Sequence, residues 1–271
     1  MVFSSLSRGP LLTFLLLVGC FSPAVAQSVE TLPDTDAQQL SDPDEPAAER
    51  FELAATREEI VRRTNEFREQ QQRSPVEVDQ DLQQAAKDFA EYMAETMKYG
   101  HHADGRTPAE RAVAAGYEYC IVLENIAYRQ QTRGLASVDL ASHFFEGWRE
   151  SPEHRKNMLD PAVTQTGVGL AVGEKGTTVF AVQMFGRPES ARIQIDVTNA
   201  ADEPVQLVVQ GESKSREFQL PPRATLTLER CRPTQIQIGG GEQPRAEQQV
   251  SESSKWVVRS EDEQFTLRRS D

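Results

Sequence analysis

YGHHADGRTPAER, residues 99–111, is the stretch from which the fold of this chain can be read. Its second half is written for a helix start. Thr107 offers the hydroxyl of an N-cap, Pro108 suits the first helical position, and Glu110 stands where a capping box needs an acid. Gly116 stops that helix, so the pattern predicts a short helix from Pro108 to Ala115. The first half sets two histidines, His101 and His102, just ahead of an Asp104-Gly105 turn.

Further stretches lie on both sides of it. Upstream, Leu82, Ala85, Ala86, Phe89, Met93 and Met97 recur at helical spacing and form a core-facing stripe, with Asp81 as the expected cap. Another helical pattern precedes it at Ile60, Val61, Thr64 and Phe67, and ends in a polar break before Pro75. Downstream comes Glu124-Asn125-Ile126-Ala127, within a region, 101–136, that reads as loop-rich. Then residues 137–150 carry Val138, Leu140, Ala141, Phe144, Phe145 and Trp148 as one helix face. They run into WRESPEHRKNML, residues 148–159, where Ser151-Pro152 starts a short helix bearing His154. Residues 166–185 carry two largely apolar runs, Gly167 to Ala171 and Thr178 to Phe185, around a turn at Glu174-Lys175-Gly176, and predict a β-hairpin.

Beyond Pro188 the texture changes. Ile193, Ile195 and Val197 alternate with polar residues, as do Val205, Leu207 and Val209, then Leu226 and Leu228, then Ile236 and Ile238, and two more apolar runs follow at 256–258 and 265–267. Short strands at such spacing predict a small all-β module, sandwich-like, over 189–271.

The N-terminus reads as an address. Arg8, the apolar run from Leu11 to Gly19, Pro23 and Ala24-Val25-Ala26 form a signal peptide over 1–26, with Gln27 as the mature start. Leu17-Val18-Gly19-Cys20 resembles a lipobox, which would instead place a lipid on Cys20. No other segment could span a membrane. Residues 27–56 are acid-rich with Pro and Gln between, and are expected to be a disordered acidic linker. The net charge of −13 opposes nucleic acid as a partner, because a phosphate backbone needs a basic face. Cys120 and Cys231 could pair or stay free, since pairing depends on Cα geometry.

Taken together and in order, four stretches (82–94, 99–111, 124–127, and 148–159 followed by Thr166-Gly167-Val168-Gly169) resemble the bacterial branch of the CAP superfamily, the cysteine-rich secretory proteins, antigen 5 and pathogenesis-related proteins, also called the SCP-like extracellular domain. The similarity covers residues 57–188, roughly half of the chain. It implies an α+β fold, a CAP-type α-β-α sandwich with a central cleft, here followed by the all-β module. By motif position, His101, His154 and Glu124 would line the cleft, with His101 preferred to His102 for its spacing to Asp104-Gly105. His102 and His143 read as surface or packing residues. Many members carry a second glutamate three places after the tryptophan; here that place is Ser151.

Two imidazoles and a carboxylate are ligand types for Zn²⁺, and His101 and His154 are the expected metal contacts. Equally, they could move protons near neutral pH. No G-x-S-x-G, H-E-x-x-H, P-loop or C-x-x-C is present. The expectation is a secreted, non-catalytic binding protein for a small molecule, a lipid, a cell-envelope ligand or a divalent metal. The alternatives are a metal-dependent hydrolase at the cell surface and a structural envelope protein.

Overall fold

The computed structural model describes residues 30–31, 52–130, 137–211, 214–239, 244–261 and 264–270. The signal peptide, Cys20 and most of the acidic linker lie outside the described residues. Strand β1 (Glu30–Thr31) pairs with β3 (Lys98–Tyr99), so that part of the expected linker is extended chain held in a sheet.

Helix α1 (Leu53–Gln70) begins four residues ahead of the expected domain start at 57. The reason lies at Thr56, which is fully buried and donates its hydroxyl to the Glu52 carbonyl at 3.0 Å. β2 (Glu77–Val78) leads into α2 (Gln80–Thr96), whose N-cap is Asp79 rather than Asp81: the Asp79 carboxylate accepts from the amides of Asp81 and Leu82. Either aspartate suits the role by residue type. Asp81 instead sits in the first turn, where its charge favours the positive end of the helix. α3 (Pro108–Ala114) carries both reciprocal bonds of the Thr107/Glu110 capping box.

The expectation of loop across 101–136 fails after residue 118. Tyr119–Gln130 is β4, a twelve-residue strand that pairs antiparallel with β6 (Thr178–Pro188). Between them in the chain come α4 (Ser137–Glu150), α5 (Pro152–Met158) and β5 (Gln165–Val172). Ser151 stands at the N-cap of α5 as expected, but its side chain makes no capping bond.

These strands form one sheet in the order β2-β5-β6-β4, whose central strands β5 and β6 are buried on both faces. Alternation along β6 divides the core: Val179, Ala181 and Phe185 meet Ile60, Phe67, Leu140, Phe144 and Trp148 of α1 and α4, while Phe180, Val182 and Met184 meet the α2 stripe. The result is the α-β-α layering. α2 lies almost against β5, because Gly167 and Gly169 face it without side chains. A Cβ on either would sit 2.2 Å from backbone atoms of Gln83 or Ala86. Below the other face, the guanidinium of Arg68, 1 % exposed, is satisfied by the carbonyls of Ser74, Met158, Asp160 and Val163.

After a 3₁₀ turn at Glu189–Ala191 the chain builds β7 (Ile193–Asn199), β8 (Val205–Val209), β9 (Arg216–Leu220), β10 (Thr225–Arg230), β11 (Thr234–Ile238), β12 (Ala246–Val250), β13 (Ser254–Glu261) and β14 (Gln264–Ser270). They form two four-stranded sheets, β10-β7-β13-β14 and β12-β11-β8-β9, around a core of Ile195, Val197, Leu207, Ile236, Trp256 and Val258. β9 and β12 escape an apolar reading because REFQL and AEQQV are mostly polar.

Two links tie the β module to the sandwich. Cys120 at the start of β4 and Cys231 in the β10–β11 turn form a disulfide, with Cα atoms 5.3 Å apart. Beside it, Arg232 grips both oxygens of Asp160 at 2.7 and 2.6 Å. The disulfide spans 111 residues of sequence, and cross-links closing loops that long constrain the unfolded chain strongly. Replacing both cysteines by alanine is expected to lower stability by about 2–4 kcal/mol, read as a shift of the urea midpoint. A midpoint unchanged from that of the oxidised parent would show that the link contributes nothing.

Candidate functional site

The candidate residues and their partners come from four separate elements. The loop after β3 supplies His101, α3 supplies Arg111, β4 supplies Glu124 and Asn125, and α5 supplies His154 and Asn157. The centre of the arrangement is Glu124, whose side chain is 1 % exposed. One of its oxygens lies 2.8 Å from His101 Nδ1. An ionised carboxylate can only accept, so Nδ1 donates to Glu124 and Nε2 is left to face elsewhere.

A charge buried this deeply needs a partner. It is Arg111, 4 % exposed, whose Nη2 reaches Glu124 Oε1 at 2.9 Å and Oε2 at 2.7 Å. The same guanidinium donates Nη1 to Asp104 Oδ1 at 2.8 Å and to the Arg106 carbonyl at 2.9 Å, and Nη2 to the His101 carbonyl at 2.9 Å. Its plane lies over the Phe89 ring, 3.6 Å from the centroid. Arg111 therefore pairs with Glu124 and Asp104 at once and pins the backbone of the histidine loop.

His154 is held from its backbone. Asn125 Nδ2 donates to the His154 carbonyl at 3.2 Å, and Asn157 Nδ2 donates to Asn125 Oδ1 at 2.9 Å and to the Glu124 carbonyl at 3.1 Å. This ladder ties α5 to β4 at the level of Glu124. Burial pushes the His154 imidazole below the ordinary histidine range; the charge of His101 pushes it further, and Glu153 partly opposes.

The other two histidines lie apart from this group. His102 Nδ1 faces the Arg106 carbonyl at 3.1 Å, and His143 Nδ1 accepts from Arg129 at 2.9 Å. Arg111, Asp104, Asn125 and Asn157 are residues that the sequence reading quoted without assigning a role. The signal for Arg111 is thin: an arginine one place after the capping-box glutamate on a short helix.

Metal fit follows from the donors. Both Glu124 oxygens are taken by Arg111 and one is shared with His101, so the carboxylate orients a ring instead of adding a third ligand. Among the described residues, no three His, Cys, Asp or Glu side chains come together to hold a metal. A divalent ion would be held by the imidazoles of His101 and His154, with remaining positions filled from outside the chain; Glu124 behind His101 is the kind of outer partner that fixes a ligating ring.

No helix among the described residues is long and apolar enough to cross a membrane. In comparison with known proteins, YkwD of Bacillus subtilis is 27 % identical over 136 residues, which make up 50 % of this chain and 49 % of that one, so the chain spans about half the length of this curated relative. An outer surface protein of Borrelia burgdorferi superposes with a TM-score of 0.43 at 18 % identity, covering 54 % of this chain and 97 % of the other. An extracellular protein containing an SCP domain from Bacillus anthracis gives 0.42 at 25 % identity, covering 54 % and 45 %. Residues 61–185 match the model of the cysteine-rich secretory protein family, and this part of the chain is a CAP domain of that family.

Proposed function

We propose that the protein is an extracellular binding module whose CAP cleft takes a small ligand or a divalent metal through the imidazoles of His101 and His154. The observation that carries this reading is the state of Glu124. Its carboxylate is consumed by Arg111 and His101, so it is not free to serve as a general base. Among the described residues no serine or threonine hydroxyl and no cysteine thiol bonds the His101 or His154 imidazole, which favours binding over hydrolysis. The secretory family and the signal-peptide pattern of residues 1–26 support a location outside the cytoplasm.

Calorimetric titration of Zn²⁺ into the chain from Gln27 tests it. Saturable binding is expected, with loss in the His101→Ala/His154→Ala double variant. Glu124→Gln is expected to weaken it by about 10–100-fold, the usual effect of removing the partner that orients a ligating histidine. Protons compete for neutral imidazole, so affinity should fall as pH drops through the histidine range. Because the His154 value is lowered, that ring stays available to lower pH than an ordinary histidine. Binding unaffected by the double variant would remove the metal arm of the reading, and a hydrolytic activity abolished by Glu124→Gln with metal retained would remove the whole.

A further inference from the structure

A cavity of about 1080 Å³ lies between the CAP domain and the β module, away from the histidine cleft. It touches Tyr119, Cys120, Ile121, Val122 and Leu123 in succession. Side chains alternate across a strand, so a cavity meeting five successive residues runs along the edge of β4 instead of lying on one face. That edge is open. Among the described residues β4 has one neighbour in its sheet, β6.

The direction of the free backbone groups can be read from the other end of the strand. The carbonyl of Glu124 accepts from Asn157, and that of Ile126 accepts from Trp148 and Tyr99, so even-numbered carbonyls point away from β6. The register with β6 is unbroken from Ile121 to Gln130. Val122 shares that direction, and in an antiparallel ladder its N–H points the same way as its C=O. Side chains cover the edge at 124 and 126; at 122 it faces the cavity. Exposed edges are usually blunted by a lysine or proline. Here Ile121-Val122-Leu123 offers neither.

The opposite wall comes from the β module, where Pro233, Gln235 and Gln249 face β4 across a gap fixed by the Cys120–Cys231 link. Arg230 lines the same cavity, and its guanidinium bonds the Glu229 carbonyl. Burial and the nearby charge of Arg216 push its pKa down. Among the described residues neither arginine bonds a carboxylate, in a chain where 42 acids outnumber 29 lysines and arginines. Arg232, by contrast, is neutralised by Asp160.

We propose that this groove receives an extended acidic peptide of a partner protein, which adds as a strand to β4 at Val122 and sets a carboxylate against Arg230. Main-chain bonds to an open edge give affinity in such pairing, and the charge selects the sequence. The carboxylate is either an Asp/Glu side chain or the peptide's own C-terminus. This site is independent of the histidine cleft.

Panning random twelve-residue peptides on the chain from Gln27 is expected to enrich sequences that alternate apolar residues with Asp or Glu. Fluorescence anisotropy with one labelled enriched peptide should then show saturable binding. Arg230→Glu should weaken it at least tenfold and leave the zinc titration unchanged. Val122→Pro, which removes the outward N–H at an edge position that tolerates proline, should weaken it by a similar factor. Amidating the peptide's C-terminus separates the two sources: lost binding assigns the terminal carboxylate, retained binding a side chain. In the unaltered protein, hydrogen exchange at the Val122 amide should slow at saturation, a readout that does not depend on any variant folding. Failure to enrich acidic alternating peptides, unchanged exchange at Val122, equal affinity in Arg230→Glu, or displacement of the peptide by self-association of the chain would each overturn the proposal.

Discussion

Arg111→Leu is expected to cost about 3–5 kcal/mol of stability, the penalty for leaving a buried charge without its partner. The substitution strands two carboxylates, Glu124 with its side chain 1 % exposed and Asp104 at 9 %. It also removes the bonds to the His101 and Arg106 carbonyls that hold the loop over the cleft. Against a total of about 5–15 kcal/mol for a folded domain, this is a large share. Equilibrium urea unfolding measures it. Arg111→Lys should fall between, because an ammonium keeps the charge but cannot fork across both acids. The diagnostic comparison is Arg111→Leu combined with Glu124→Gln. Removing the stranded charge should recover part of the loss, so the double variant should be less destabilised than the sum of the singles. Strict additivity would show that Arg111 acts by packing on Phe89 alone and that Glu124 is compensated in some other way.

The second large effect is steric. Gly169→Ala adds one methyl group at a point 2.2 Å from the Ala86 carbonyl carbon. Overpacking usually costs about 1–3 kcal/mol because side chains can rotate or shift to make room. Here the obstacle is the main chain of α2, which cannot rotate aside, so the cost should reach the top of that range or pass it. The helix would have to lift from β5, and Leu82, Ala86, Phe89 and Met93, all buried beneath it, would lose contact with the sheet. Gly173→Ala is the matched control. Its Cβ would meet the sulfur of Met97 at 3.1 Å, the end of a flexible side chain. Thermal melting should show a large drop for the first and a small one for the second. Equal melting temperatures would mean that α2 is not seated as closely as the backbone places it.

These two cases mark how far the sequence could be read. The stripe of α2 was legible because it needs only the helical period and small residues at 85, 86 and 90. The tight Gly167/Gly169 seat was visible as a motif, but not its purpose, since nothing local says that a helix passes over those positions. β4 was missed because its middle breaks the alternation rule. Ile126 is buried as a strand predicts, but so are Glu124 and Asn125, and a glutamate beside an asparagine reads as loop until its partners are known. Leu53–Thr56 was assigned to the linker because the acids before it dominate the composition, while the bond that extends the helix is a single hydroxyl to Glu52.

What the sequence determined by itself is whatever closes within a turn or two of chain. The Thr107/Glu110 box spans three residues, the helical stripes repeat every three or four, and the β5–β6 hairpin turns within a few residues of Gly176. Such features depend on backbone geometry and nearest neighbours, which the order of residues already contains. Only the tertiary structure decided the rest: that Arg111 neutralises Glu124 from thirteen positions away, that Cys120 meets Cys231 across 111, and that Val122 lies on an edge with no partner strand among the described residues. Those relations are set by how layers pack and which strands adjoin. Many placements of the same residues satisfy the local rules, and burial of charge and apolar surface together selects one of them.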